Sequence, residues 1–402
     1  MSDPWFSRLW AASTATMLGD GIRVAGLPLL TAASTGSPTA VSLVAVAVHL
    51  PWLLFSLFGG VLVDRFDRAR LLWLSGVAQA VLVGGLAVLV HRHPPGLVTL
   101  VVLAALLGCA GTVHLTASGA LLPELVEADE LDRAHGRLQG SQVAARQLLG
   151  PLLGAVVFGF AVWLPFAIDA ALFLLAAVLV RPLVGSNDRT RAEDRVFAET
   201  RSGVLWLSRH KGFRLLAVGL GVAALALQLG TTLLVLLVTG TLRGSVAAFG
   251  IVLAVGAVGG VVGGVTAGRL RARLGLAAAL SGALLVMGVS LLVVGVSGSV
   301  AVVAVMCGFG GFGAVVWTVQ ASALWQRVLP RTLRTRVGGV YRLIGWAGVP
   351  VGAALSGALA TVTTLRVPFL VGGVLLLLTT ALVPALARLD ATPTPVPNPQ
   401  LN

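Results

Sequence analysis

Four charged side chains lie deep inside long apolar stretches of this sequence. Asp20 and Arg23 are three positions apart near the N-terminus, and Arg146 and Asp169 follow further along the chain. Charge surrounded by hydrocarbon is costly, so such residues usually bind a proton, an ion or a charged ligand, or pair with one another. A spacing of three places Asp20 and Arg23 on one face of a helix, where they can form an ion pair.

Each of these charges has a structural interpretation beside the functional one. Asp20 and Arg23 either form a site for a proton or substrate, or form an ion pair that only supports the fold. The same two interpretations apply to Asp169. Arg146 either neutralises one of the two acids or binds an anionic ligand. The pattern predicts a site of carboxylates and guanidinium groups within apolar segments.

Polar side chains in other apolar segments add candidates. His49 and His114 can change charge near neutral pH, although a lone buried histidine also serves as a hydrogen-bonded packing residue. Five further residues either line a mixed aromatic and polar cavity, or pack and face lipid: Gln228, Trp317, Gln320, Tyr341 and Trp346. No metal site is expected, because the sequence has no His-Glu-x-x-His motif.

The segments that carry these residues have the composition of membrane helices. Hydrophobic residues make up 57% of the 402 positions and charged residues only 11%. Apolar runs of about 20 residues match the thickness of a bilayer, and backbone groups in lipid must be satisfied within each segment, as in a helix. We predict an all-α polytopic membrane protein with twelve spans, near 9–33, 40–63, 71–91, 97–121, 141–161, 163–183, 213–239, 246–268, 276–296, 299–322, 338–361 and 366–388.

The distribution of basic residues predicts the topology. Of the 28 Lys and Arg residues, Arg92, Arg243 and Arg366 lie in odd-numbered loops, and Arg23 and Arg146 lie within spans. The other 23 lie in or beside the N-terminus, the even-numbered loops and the C-terminus, counting Arg342 just inside the start of the eleventh span. Basic residues concentrate on the cytoplasmic side, so both termini are expected there, in the cell membrane. The formal charge of +13 then reflects topology and contact with anionic lipid headgroups, and nucleic-acid binding is not expected.

Two polar stretches divide the chain. The longest polar stretch between spans predicts a cytoplasmic linker at 184–212, between an N-terminal six-helix bundle at 1–183 and a C-terminal one at 213–389. The proline-rich end at 390–402 predicts a disordered tail. Two bundles of six helices each suggest an internal duplication. Duplication is typical of secondary carriers, in which two pseudo-symmetric halves rock around a central site.

A charged loop and its weaker copy support this duplication. The first contains Gly60, Asp64, Arg65, Arg68 and Arg70, and the stretch Gly264–Arg273 repeats it with Gly268 in place of the acid. Asp64 can accept backbone N–H groups at a helix start, and the arginines can pair with carboxylates at the membrane rim. The alternative is that these arginines only enforce topology.

These residues resemble a known family. The loop at 60–70 resembles the signature between helices 2 and 3 of the major facilitator superfamily. Gly150, Pro151 and Gly154 resemble the exporters' Gly-Pro-x-x-Gly motif, with Arg146 in place of its first glycine. The segments at 120–132 and 166–173 are similar to the enterobactin-exporter and macrolide-efflux branch.

The resemblance implies the major facilitator fold and several roles. The signature loop would latch the two halves together when the cavity faces outward. The helix 5 motif would form a tight gating region, although glycine and proline also serve ordinary helix packing and bending. Because the first helix lines the central cavity in this fold, Asp20 is the leading candidate for proton or substrate coupling.

Three functional classes remain to be compared. We expect a secondary active exporter of an amphipathic small molecule, such as a siderophore or macrolide, driven by the proton gradient without a cofactor and functional as a monomer. A facilitative or import carrier of the same fold, without proton coupling, is the alternative. An enzyme is not expected, and neither is ATP-driven pumping, because no Gly-x-x-x-x-Gly-Lys-Ser/Thr loop is present.

Overall fold

The computed structural model describes residues 4–65, 67–126, 130–183, 211–328 and 331–383. All the regular structure in these ranges is helical. The helices of the N-terminal half are α1 Pro4–Thr35, α2 Pro38–Arg65, α3 Arg68–Arg92, α4 Leu97–Leu125, α5 in consecutive stretches Leu131–Val143, Ala144–Leu149 and Gly150–Phe160, and α6 Leu164–Val180. Those of the C-terminal half are α7 Lys211–Thr231, continued by Leu234–Leu236 and Leu237–Thr241, α8 Val246–Val296, α9 Val300–Val328, α10 Arg331–Val362 and α11 Val367–Thr379.

Most of these helices can cross a membrane. Within the described ranges, eight are long and apolar enough to do so, and two shorter apolar helices cover Pro38–Leu54 and Val367–Thr379. Helix α1 is not among the eight, and it carries both Asp20 and Arg23. The prediction of an all-α polytopic membrane protein is confirmed, while the number of twelve spans stays a prediction.

Helix α8 contains two of the predicted spans, separated by a break in the helix at Gly275. Its 51 residues would extend for about 76 Å at 1.5 Å per residue, more than twice the thickness of a bilayer core. Gly275 interrupts it with φ 78° and ψ 167°, a backbone conformation that favours glycine. The predicted spans 246–268 and 276–296 lie on either side of this break.

The helices pack in two groups. In the first group α1 packs against α5 and α6, α2 against α4, and α3 against α4 and α6. In the second group α7 packs against α10 and α11, and α8 against α9 and α11. Helix α7 begins at Lys211, two residues before the predicted bundle boundary, whereas 184–210 and the predicted tail at 390–402 lie outside the described residues.

The two groups meet along α2 with α10 and along α5 with α8. A Cβ on Gly357 of α10 would lie 2.5 Å from Ser42 Oγ of α2, and one on Gly250 of α8 would lie 2.5 Å from Ala155 Cβ of α5. Both contacts lie towards the turns at 36–37, 242–245 and 363–366. These turns would be on the outer side if the termini are cytoplasmic, as predicted from the charge distribution.

Candidate substrate and proton site

An arginine between two carboxylates forms the centre of the candidate site. Arg23 Nη1 donates to Asp169 Oδ2 of α6 at 2.9 Å, and its Nη2 donates to Asp20 Oδ1 one helical turn earlier on α1. Gln79 Oε1 of α3 lies 3.5 Å from the same Nη2. Two of the sequence-predicted acids are therefore brought together on one guanidinium group.

Glycine on α1 permits this arrangement. Asp169 Oδ1 lies where a Cβ on Gly19 would be, so the carboxyl group packs directly against the α1 backbone. The Asp169 side chain is fully buried, whereas those of Asp20 and Arg23 retain 17% and 13% of their exposure. A larger residue at position 19 would collide with this carboxyl group, so the Asp169 side chain would have to move from its present position.

The charges of this cluster do not balance by themselves. With both carboxyl groups ionised, Asp20 and Asp169 carry two negative charges against the single positive charge of Arg23. Asp169 Oδ1 has no hydrogen-bond partner within the described structure. Excess charge in a low-dielectric interior is costly, so one bound proton would neutralise the cluster and give this oxygen a hydrogen to donate.

His114 of α4 lies beside the cluster and is also buried. Its Nδ1 lies 3.2 Å from Ser75 Oγ of α3, and its ring meets Phe173 of α6 edge-on with centroids 5.9 Å apart. The Arg23 guanidinium lies over the same Phe173 ring, 5.6 Å from its centroid. The side chains around Arg23 thus come from four helices, and His114 is the fourth ionisable group of this neighbourhood.

Helix α5 approaches α1 next to the cluster through its predicted glycine motif. A Cβ on Gly150 would lie 2.5 Å from Gly21 Cα, and Gly154 faces the backbone of Ile22. The preceding turn, Ala144–Leu149, is a π-helix, and Pro151 follows at the start of the next α-helical stretch. The motif brings two backbones together, which bulkier residues would prevent.

Arg146 lies in that π-helical turn with an exposed side chain. Within the described residues it makes no ion pair with Asp20 or Asp169, so the predicted neutralisation of an acid is not seen in this arrangement. It lies near enough to His49 of α2 for their charges to interact. His49 is half-buried.

The residues of the C-terminal half that were candidates for lining a cavity pack mostly against other helices of the same half. Trp317 and Gln320 of α9 are only 3% and 1% exposed, and Gln320 Nε2 donates to the Ala267 carbonyl of α8 at 2.7 Å. Gln228 of α7 is half-buried and donates to Thr232 Oγ1 at 3.1 Å. For Trp317 and Gln320, the packing alternative describes their positions in this structure.

The signature loop is described only in part. The helix is described at Gly60, Asp64 and Arg65 and at Tyr341 and Arg342, but the surroundings of these residues lie outside the described part of the structure. Asp67 stands at the place of a glycine in the family pattern. Its side chain accepts a hydrogen bond from the Arg70 backbone N–H at 3.0 Å and caps the start of α3. Arg68 follows it, and Arg70 is exposed.

Sequence reasoning missed the neutral residues of the site. Gly19 and Gly21 flank Asp20 and admit α6 and α5 respectively, and Gln79 contacts Arg23. The triplet Gly-Asp-Gly was the available signal, since two small residues beside an intramembrane acid suggest close helix contacts. Gln79 is an amide within the apolar helix α3, which is the same signal that made Gln228 and Gln320 candidates. Within the described ranges, no group of three His, Cys, Asp or Glu could hold a metal ion.

Comparison with known proteins places the chain among transporters. The sequence profile of a family described as transmembrane secretion effectors matches residues 1–397. The multidrug efflux pump Tap of Mycobacterium tuberculosis is 27% identical over 96% of this chain and 94% of its own length. Macrolide efflux protein A of Streptococcus pyogenes is 27% identical over 53% of this chain and 54% of its own length.

Solved structures show the same fold. A bacterial homologue of the iron transporter ferroportin, in an inward-facing state, aligns with a TM-score of 0.76 over 95% of this chain and 98% of its own. Its sequence identity is 18%, which supports the fold alone.

Proposed function

Because this chain belongs to the transmembrane secretion effectors of the major facilitator superfamily, we propose that it is a proton-coupled exporter of an amphipathic small molecule. The resemblance seen in its sequence motifs is confirmed by the match over residues 1–397. The chain is a multi-pass membrane transporter and not an enzyme. Proton coupling, the class of cargo and the direction of transport are the proposed parts.

The relatives support the direction. Tap and macrolide efflux protein A are both named for efflux, and Tap aligns with nearly the whole chain. Export of a macrolide, a siderophore or another secondary metabolite fits this relationship. We place the protein in the cell membrane with both termini cytoplasmic, acting as a monomer without a cofactor.

The cluster around Arg23 is the observation that carries the proton coupling. One guanidinium group holds two carboxyl groups from two helices, and Asp169 Oδ1 is buried with no hydrogen-bond partner among the described residues. A proton arriving from outside neutralises one carboxylate and weakens its bond to Arg23. When the proton leaves towards the cytoplasm, the carboxylate again attracts Arg23, and α1 and α6 return to their paired arrangement.

Alternating access would link this step to the cargo. Helix α1 also touches α5 at Gly21 and Gly150, and α5 in turn touches α8 of the other half at Gly250. A change in the pairing of Arg23 can therefore shift α1 against the helix that contacts the opposite half. Rocking of the two halves around a central site would then expose that site to each side in turn.

Proton flux in proteoliposomes tests the proposal. The purified protein is reconstituted with a trapped pH indicator, and a pH gradient is imposed before cargo is added. Two probes are used, the macrolide erythromycin and the catecholate 2,3-dihydroxybenzoylserine. We expect at least one probe to drive proton movement in the wild-type protein, and this movement to fall at least tenfold in Asp20→Asn and Asp169→Asn.

A matched variant separates coupling from general damage. Ser290→Ala changes a buried hydroxyl of α8 that bonds only within its own helix, and it should leave proton flux unchanged. Wild-type rates of proton flux in both acid variants would reject the cluster as the coupling site. Probe transport without any proton movement in the wild type would favour the facilitative or import carrier instead.

A further inference from the structure

Arg146 is the charged side chain of the spans that the proton cluster does not use. It is exposed in the π-helical turn of α5, while its backbone carbonyl lies against Gly21 of α1. A guanidinium group in a membrane helix is costly unless it meets water, a counter-ion or a ligand. The two intramembrane acids are already held by Arg23, so neither neutralises Arg146.

The π-helical turn that carries Arg146 contacts α8 of the C-terminal half as well as α1, which places this turn at the boundary between the halves. Helices α2 and α5 pack against different partners, α2 against α4 and α10 and α5 against α1 and α8. Even so, His49 of α2 lies within range of the Arg146 charge. The Arg146 side chain therefore approaches α2 as well as the helices that its own turn contacts.

Two tryptophans, Trp52 and Trp346, also lie at the boundary between the halves. Trp52 is one helical turn from His49 on α2, which puts both on one face. Its ring lies 4.5 Å from that of Trp346 on α10, measured between centroids, with the planes tilted by 39°. The pair joins the two halves, and Trp346 is 46% exposed, so a ligand can reach its ring. Large aromatic surfaces of this kind bind planar or apolar ligands.

The opposite half supplies no counter-charge. The sequence contains no Asp or Glu between positions 213 and 389. The intramembrane residues Asp20 and Asp169 carry two negative charges, and Arg23 and Arg146 carry two positive ones. One proton bound to the cluster around Arg23 therefore leaves a net charge of +1. In the described structure, Arg146 is the group without a partner acid. A ligand between the halves thus meets a guanidinium group and aromatic rings.

We propose that the cargo is an amphiphile with an acidic group and an aromatic ring, and that Arg146 binds the acidic group while Trp52 and Trp346 contact the ring. This rests on the proposed export function and narrows its cargo, since it favours an acidic aromatic compound over a macrolide, which is basic and has no aromatic ring. A guanidinium group binds carboxylate and related anions through paired N–H donors. An inside-negative membrane potential favours the export of an anion, which suits the proposed direction.

Binding of three naphthalene probes tests this assignment. Naphthylacetate is anionic, naphthylacetamide is neutral and naphthylethylammonium is cationic, and the three have similar size and shape. Equilibrium dialysis against the purified full-length protein should show at least tenfold tighter binding of the anion than of either other probe. Arg146→Gln should remove this preference, and Arg146→Lys should restore a part of it. Trp52→Ala should weaken all three probes alike.

The control and the opposing results are well defined. Arg92→Gln removes an exposed arginine at the end of α3 and should keep the wild-type order of affinities. Equal binding of the three probes, or preference for the cation, would overturn the inference. So would an equal loss of all three in Arg146→Gln, since that indicates packing. If anion preference persists but no probe drives proton flux, the coupling proposal fails while this inference stands.

Discussion

The two halves share a packing scaffold but differ in charge. In the N-terminal half Gly150 of α5 meets Gly21 of α1, and in the C-terminal half Gly348 of α10 meets the Gly221 carbonyl of α7. Both contacts lie beside a proline, Pro151 or Pro350, inside a long helix. The backbone crossing is therefore present in both halves, as expected of a duplicated structure.

The charged cluster is present in one half only. Where α1 carries Asp20 and Arg23, α7 offers neutral hydrogen bonds, such as the one from Gln228 to Thr232. Helix α10 adds another, from Ser356 Oγ to the Leu229 carbonyl at 2.7 Å. Close helix packing therefore needs only small residues, which both halves have. Proton binding needs ionisable groups, which the N-terminal half can supply alone. Four predictions examine this division.

Removal of Arg23 should have the largest effect. Arg23→Gln leaves Asp20 and Asp169 close together in the protein interior without their cation. Breaking a buried ion pair from one side costs about 3–5 kcal/mol, so the unfolding temperature and the folded yield should both fall, and transport should be lost. Thermal unfolding followed by tryptophan fluorescence measures the change.

The C-terminal half provides the comparison for this variant. Arg366 donates to the Gly295 carbonyl at 3.0 Å, and Arg366→Gln should cost only about 1 kcal/mol. The double variant Arg23→Gln with Asp169→Asn should recover stability without recovering transport. A double variant no more stable than Arg23→Gln would show that excess charge is not the cause.

Enlarging the shared glycines should destabilise both halves to a similar extent. Gly150→Leu and Gly348→Leu each place a side chain against the backbone of a neighbouring helix. Overpacking of this kind costs about 1–3 kcal/mol, which thermal unfolding can resolve. Gly159→Leu serves as the control because a Cβ there meets nothing within 4 Å. A large loss in only one half would contradict a shared scaffold.

The two copies of the signature loop should differ in sensitivity. We expect Asp64→Asn to reduce the transport rate by about tenfold, equivalent to about 1.4 kcal/mol, with normal insertion. Gly268→Ala in the second copy should have no effect, because a Cβ there meets nothing within 4 Å. Transport assays at matched expression measure both rates. A normal rate in Asp64→Asn would show that Asp64 is not needed to hold the two halves together.

The smallest effect is expected inside the C-terminal half. Gln320→Leu removes the donor to the Ala267 carbonyl and should lower the free energy of unfolding by about 1 kcal/mol. Transport should persist, because Gln320 is buried and bonds to the backbone of α8 within the same half. Gln79→Leu should instead impair transport, since Gln79 contacts Arg23. The opposite pattern would place the functional polar residues in the other half.

Much of this protein was predictable from residue order. Apolar length and composition determined the membrane helices, because the bilayer requires about 20 residues per crossing. The spacing of Asp20 and Arg23 predicted their contact, since a helix brings residues three apart together. The loop at 60–70 and the motif at Gly150, Pro151 and Gly154 indicated the family that the comparisons confirm.

Only the tertiary structure decided which helices bring charges together. Asp169 meets Arg23 because α6 packs against Gly19, and Arg146 remains apart from both acids. Membrane helices are apolar on all sides, so periodicity does not reveal which face meets a neighbour. The sequence by itself determined the charges and the helices that carry them. Close packing at small residues decided their pairing, because a contact between helices depends on shape as well as hydrophobicity.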